Sequence, residues 1–221
     1  VSFYTGQNLD IPQLADGLKH HKTLLAIDTT HASGVVQVDA TAADLCVSSS
    51  YKWLLATHGT APCYLSEKAE ECTRATSFGW RNLAVWPSQG AERVAEVKEH
   101  PMPQKLEAGN PAMVVILFLE KALDLILETG IERIENHARD LSNEVSQGLA
   151  ALDINVITPA ARSRRSGNTC FLLEDAPQLV DRLAEHQVYV WGEYGRVRVS
   201  SHLYNGSADI VRLCDALKEI L

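Results

Sequence analysis

Apolar residues in the first part of the chain come in short runs separated by polar clusters, the pattern of alternating strands and helices. Val1 to Tyr4 is strand-like. Leu24 to Ile27 reads as a buried strand that ends on an acid, Asp28, and Leu45 to Val47 as a second that runs into Ser48, Ser49 and Ser50. Ala61 to Leu65 predicts a third strand, with Ser66 capping a short charged helix from Glu67. Strand ends that deliver polar residues are where open α/β sheets place their ligand chemistry. Between Cys72 and Lys105 the pattern is irregular and holds Trp80 and Trp86, which predicts a long functional loop.

From Pro111 the character changes. A long helix is predicted from Ala112 to about Thr129, stopped by Gly130. A second follows with Ile131, Ile134, Ala138, Leu141, Val145 and Leu149 at helical spacing, its Glu132, Arg133, Glu135, Arg139 and Asp140 forming a solvated face. Val156–Ile157, Thr169–Leu173, Val188–Trp191 and Val197–Val199 read as strands. Asp175 and Pro177 start a helix between the second and third of these. Ser207 caps a last helix striped by Ile210, Leu213, Leu217 and Ile220. The chain thus divides into an α/β part, residues 1–111, and a long helix followed by a small α+β unit, residues 112–221.

Composition narrows the class. Twenty Lys plus Arg against twenty-eight Asp plus Glu leave a net charge of -8 in 221 residues, the wrong sign for a general nucleic-acid surface. The apolar run Ala112 to Leu119 is closed by Glu120, well short of the roughly 20 residues of a membrane helix. Cys46, Cys63, Cys72, Cys170 and Cys214 are odd in number and form no C-x-x-C pair, a poor disulfide framework and a poor zinc site. Reduced cytoplasm is the expected compartment. No basic segment of a secretory signal precedes Val1, and without an initiating Met the sequence is expected to begin inside a larger protein.

The chemistry concentrates in Asp28-Thr-Thr-His31-Ala-Ser-Gly34 and Ser49-Ser-Tyr51-Lys52-Trp53-Leu54. An Asp after a strand also suits a plain turn, and a lysine a solvated surface. Lys52, however, stands between a serine cluster and the apolar Trp53-Leu54-Leu55. A lysine held there can act as an amine nucleophile toward an aldehyde.

From Ala26 to Leu65 the sequence resembles the core of the class V aminotransferase family of pyridoxal-phosphate enzymes. The matching segments are Asp28 to His31, Ser49 to Lys52 and His58-Gly59-Thr60-Ala61-Pro62. Tyr4-Thr5-Gly6-Gln7 and the Tyr51-Lys52 pair are similar to kynureninase. The likeness continues through Glu107-Ala108-Gly109-Asn110-Pro111 to Arg198-Val-Ser200-x-His202-x-Tyr204-Asn205. It implies fold type I, here the C-terminal part of the large α/β domain plus the small α+β domain, with pyridoxal 5'-phosphate as cofactor. Lys52 would form the aldimine and later move the α-proton. Asp28 would keep the ring nitrogen protonated, making the ring an electron sink that stabilises the carbanion. His31 would lie against the ring or bond its 3-hydroxyl, and Ser49 and Tyr51 would bond the phosphate. Asn110, which also suits a helix cap before Pro111, would reach the neighbouring subunit's cofactor, with Trp80 near it. Arg198 would clamp a substrate carboxylate.

The resemblance implies a homodimer with shared active sites acting on a small amino acid or keto acid, first as an aminotransferase. A kynureninase-like carbon–carbon lyase and a non-catalytic scaffold are the alternatives. The sequence begins after the region that supplies the family's phosphate loop and ring-stacking residue, so these residues by themselves are expected to hold the cofactor weakly. Related desulfurases use a mobile cysteine. The one candidate, Cys170, falls inside a predicted strand, and desulfurase activity is not expected. Arg162, Arg164 and Arg165 are expected in an exposed loop.

Overall fold

The computed structural model describes residues 1–85 and 98–221; Trp86, within the predicted long loop, lies outside the described residues. Helix α1 spans Ile11–Leu18, with Asp10 accepting from the Gln13 N–H at 3.0 Å and Pro12 in its first turn. No strand or helix pattern predicted it. Strands β1 (Ala26–Asp28) and β2 (Leu45–Val47) pair in parallel, and β3 (Cys63–Leu65) adds antiparallel to β2. All three occupy the predicted runs, but β1 is not buried as predicted: Leu24, Ala26 and Asp28 are exposed and Ile27 is half-buried. Ser66 caps α2 (Glu67–Cys72) by accepting from the Ala69 N–H, as its position ahead of an acidic turn predicts. In the predicted loop region, Asn82 is buried. Its amide donates to the Ser77 and Lys105 carbonyl oxygens and accepts from the Gly79 N–H, tying the segment to itself.

Helices α3 (Met113–Thr129) and α4 (Ile131–Ala150) fall where their stripes place them, joined at Gly130, whose φ of 87° is in the left-handed region. Strands β4 (Asn168–Leu172), β5 (Trp191–Glu193) and β6 (Arg196–Ser200) form an antiparallel sheet in the order β4–β6–β5. Helices α4, α5 (Ala176–Glu185) and α6 (Ser207–Ile220) bury it, with Phe171, Leu183, Val197 and Leu217 fully enclosed. A second core joins Val35, Val36, Trp53 and Leu54 to Leu119, Ile126, Ile134 and Ala138 of α3 and α4.

Six further expectations change. Val1 to Tyr4 leads into a turn, closed by the Gly6 N–H donating to the Ser2 carbonyl oxygen, and its rings pack on His31 and Arg196 rather than in a ladder. Val156 makes only an isolated bridge to Phe171, and the Val188–Trp191 run pairs only from Trp191 onward. Ser207 is the first residue of α6 rather than its cap; the Asp209 carboxylate accepts from the Gly206 N–H instead. Glu135 is buried rather than solvated, accepting from the Gln37 N–H and pairing with Arg139. Arg165 is likewise buried, its Nε donating to the Pro159 carbonyl oxygen, because the Arg162–Arg164 turn folds back against α4.

Candidate active site

The parallel pairing of β1 with β2 brings two chain segments to one sheet end. Asp28 is the last residue of β1, and its Oδ1 accepts from the Thr30 N–H at 2.8 Å. Thr30 in turn accepts the Ser49 N–H at 2.9 Å, fastening the turn after β1 to the turn after β2. This buried threonine was not singled out from sequence, although it sits inside the Asp28–His31 motif. Burial works against ionisation of Asp28, but hydrogen bonding from Thr30 and the charge on Lys52 outweigh it and hold the carboxyl below its usual range.

His31 and Lys52 meet at this end, with Nε2 and Nζ 3.3 Å apart. The other ring nitrogen, Nδ1, faces the Trp53 indole N–H at 3.2 Å and the Asn168 amide at 3.4 Å. The Phe3 ring of the opening turn stacks on His31, with centroids 5.9 Å apart. Burial, reinforced by the positive charges of Lys52 and Arg198, pushes the imidazole pKa down to about 4, so the ring is neutral at physiological pH. A titration of the His31 ring by NMR is therefore expected to show a midpoint near 4; a midpoint at 6 or above contradicts this environment. The stability sign follows. Unfolded His31 binds its proton near the ordinary 6.5, so its contribution is full above that pH and is lost as pH falls through about 4.

Arg198 enters from β6, which places Val197 and Val199 in the core and Arg198 on the opposite face, as the alternation predicts. Its guanidinium lies 5.0 Å from the Trp191 ring centroid, and Nη1 donates to the Phe3 carbonyl oxygen at 3.4 Å. Its Nε is buried and has no hydrogen-bond partner among the described residues. Lys52, His31, Arg198, Ser200 and Tyr204 share the walls of one cavity of about 280 Å³. Cavities of about 340, 300 and 290 Å³ lie elsewhere, beside the start of α6, beside α1 and between α4 and α6. None of them joins a lysine, a histidine and an arginine on one wall, so chemistry rather than size selects the site.

Other predicted residues stand differently. Tyr51 is exposed and stacks on His58 at 3.8 Å between centroids; Ser49 is half-buried beside it in sequence. Asn110 and Trp80 are exposed and do not line this cavity, and Ala112 rather than Asn110 occupies the cap of α3. Cys170 is fully buried in β4, where burial pushes its thiol up to about 11. Trp53, Asn168 and His202 are the residues that sequence reasoning undervalued. Trp53 and His202 stood inside quoted motifs, and only the tertiary approach of Asn168 reveals its contact with His31.

A lysine amine, an ionised carboxylate at a strand end, a neutral imidazole and an under-satisfied guanidinium suit an aldehyde cofactor with a protonated ring nitrogen and a substrate carboxylate. The fold agrees. A cysteine desulfurase from Thermococcus onnurineus superposes with a TM-score of 0.90 at 20% identity, over 100% of this chain and 58% of that one. This is the architecture of fold-type-I pyridoxal-phosphate enzymes.

The description "Aminotransferase class-V" matches residues 1–213, and the chain belongs to that family, whose cofactor is pyridoxal phosphate. An uncharacterized aminotransferase of Methanocaldococcus jannaschii is 30% identical over 69% of this chain and 38% of its own length. A kynureninase of Yarrowia lipolytica is 27% identical over 68% of this chain and 35% of its own length. The chain spans well under two thirds of each of these relatives. Among the described residues, no helix is long and apolar enough to cross a membrane.

Proposed function

We propose that the protein is an aminotransferase that moves an amino group between a small amino acid and a keto acid. The observation that supports this most is the convergence of Lys52, His31 and Arg198 on one cavity, beside the ionised Asp28. Bound pyridoxal phosphate supplies an aldehyde and an electron-withdrawing ring for negative charge developing at the substrate α-carbon. Asp28 would accept a hydrogen bond from the ring N–H and stabilise its positive charge. Lys52 would provide the amine for the aldehyde and a base for the α-proton. Neutral His31 would lie against the ring or bond its 3-hydroxyl, and Ser49 and Tyr51 would bond the phosphate.

Arg198 holds the substrate carboxylate, which supplies the acceptor that its guanidinium lacks. Arg198→Lys keeps the charge but loses the planar fork. KM for the amino acid is expected to rise about tenfold or more, with cofactor affinity unchanged. Equal loss of cofactor and substrate binding would make Arg198 structural.

Asn110 and Trp80, exposed and away from this cavity, are assigned to the neighbouring subunit's site in a homodimer. Residues 1–111 are assigned to the large domain and 112–221 to the linking helix and small domain. The cytoplasm suits five unpaired cysteines. Cys170 has no part as a sulfur carrier here, because a buried strand thiol with a raised pKa is neither mobile nor ionised.

A carbon–carbon lyase is the second reading, favoured by the 27% identity to a kynureninase over 68% of the chain. Incubating the purified protein with amino acids and a keto-acid acceptor decides between them. New keto acid paired with new amino acid supports the aminotransferase, whereas alanine released without an acceptor supports the lyase. A preparation that never binds pyridoxal phosphate would leave only a scaffold.

A further inference from the structure

We infer that Trp53 is a positioning residue: its indole N–H holds His31 in the form that carries the ring hydrogen on Nε2 and presents it to the cavity beside Lys52. This rests on the reading of Lys52 and His31 as the cofactor site. An indole N–H donates and cannot accept, so the nitrogen it faces must carry a lone pair. That nitrogen is His31 Nδ1, 3.2 Å away. Asn168 points the same way. Its Oδ1 is occupied by the Ser200 hydroxyl at 2.8 Å, which turns its NH2 group toward the same Nδ1 at 3.4 Å. Lys52 Nζ, 3.3 Å from Nε2, is a donor as well, but it sits on an exposed, flexible stem that can turn away, whereas the buried indole is fixed; with two donors on Nδ1, the hydrogen of the neutral imidazole is left to Nε2. Burial that keeps this ring neutral agrees with the same form.

Trp53 is itself fixed from several sides. It is 6% exposed. The His202 ring stacks on it with centroids 5.3 Å apart, and His202 Nε2 donates to the Trp53 carbonyl oxygen at 2.9 Å. The direction of that bond is set, because His202 Nδ1 already accepts the Leu203 N–H at 2.7 Å. Gly34, with φ 95°, leaves room for the Trp53 carbonyl, and a side chain at Gly167 would press on the indole edge at 2.9 Å. The Leu203 amide thus donates to His202 and His202 to the Trp53 carbonyl oxygen, which fixes the residue whose indole donates to His31. This arrangement couples the loop after β6 to the cofactor lysine.

The test is the position of the His31 hydrogen, read from its two ring nitrogen shifts by long-range proton–nitrogen NMR at pH 7 without added cofactor. The intact protein is expected to show a bare Nδ1 and a protonated Nε2. Trp53→Phe is expected to populate the other form and to lower kcat about 10- to 100-fold, with KM changed less than about threefold. If Trp53→Phe does not fold, a benzothienylalanine at position 53 removes only the N–H and keeps the ring. A protonated Nδ1 in the intact protein, or a His31 signature unmoved by either replacement, overturns the inference. Borohydride labelling in the same samples separates this from failure of the site reading. Label on a lysine other than Lys52 defeats the site, whereas label on Lys52 with an unmoved His31 defeats only the role of Trp53.

Discussion

Lys52→Ala is expected to abolish turnover, lowering the rate by about 10⁴-fold or more, because the proposed nucleophile and proton carrier are the same amine. The side chain is exposed to the cavity, and its close side-chain partners are His31 at 3.3 Å and the face of Tyr51 at 5.6 Å. Removing it leaves no buried group unpaired, so stability is expected to change by no more than about 0.5 kcal/mol. Thermal unfolding of the variant therefore separates loss of chemistry from loss of fold. In the intact protein, borohydride should fix the cofactor to the peptide containing Ser49-Ser-Tyr51-Lys52; in the variant, no label should remain. A small primary amine added to the variant should restore part of the rate, since Asp28 and His31 still frame the space that the lysine leaves. A variant that retains turnover, or a label found on Lys68 or Lys105, would remove Lys52 from the site.

The long helices were legible because their apolar residues recur at a single period over many turns. In α4, every stripe residue from Ile134 to Leu149 is buried. Helix α1 escaped because it buries no side chain, so its pattern had no core to answer to. Its signal was local instead, in Asp10 followed by Pro12. The two turns that carry His31 and Lys52 were marked by the strands that precede them, and Arg198 by the alternation of β6, while the roles proposed for Asp28, His31, Ser49 and Lys52 came from the motif resemblance. Their relations were not legible. His31 reaches Asn168, and the Trp53 carbonyl oxygen meets His202, across chain separations of 137 and 149 residues. No local pattern encodes which ring nitrogen such a partner meets. Phe3 and Tyr4 show the converse limit. A short apolar run resembles a strand, yet here its rings pack on His31 and Arg196.

Asp28→Asn isolates a charge from a shape. The amide has the same outline, and its oxygen can still accept the Thr30 N–H that Asp28 accepts at 2.8 Å, so the turn after β1 should survive. Stability is expected to fall by less than about 1 kcal/mol. What disappears is the negative charge proposed to face the cofactor ring nitrogen. A neutral amide oxygen accepts a hydrogen bond from that nitrogen but does not keep it protonated, so the ring withdraws electrons less strongly as charge develops at the substrate α-carbon. The expected fall in kcat is about 10²- to 10³-fold for this electrostatic loss alone, and more where ring protonation limits the reaction. Lys52 and its borohydride label should be untouched, which distinguishes this loss from that of Lys52→Ala. The absorption band of the bound cofactor should shift as well, because its protonation changes. Asp28→Glu restores the charge one methylene further out and should recover part of the rate, whereas Asp28→Ala should recover none. Near-normal turnover in Asp28→Asn would mean that the carboxylate serves only as the acceptor for Thr30, and that the ring nitrogen is stabilised by another group.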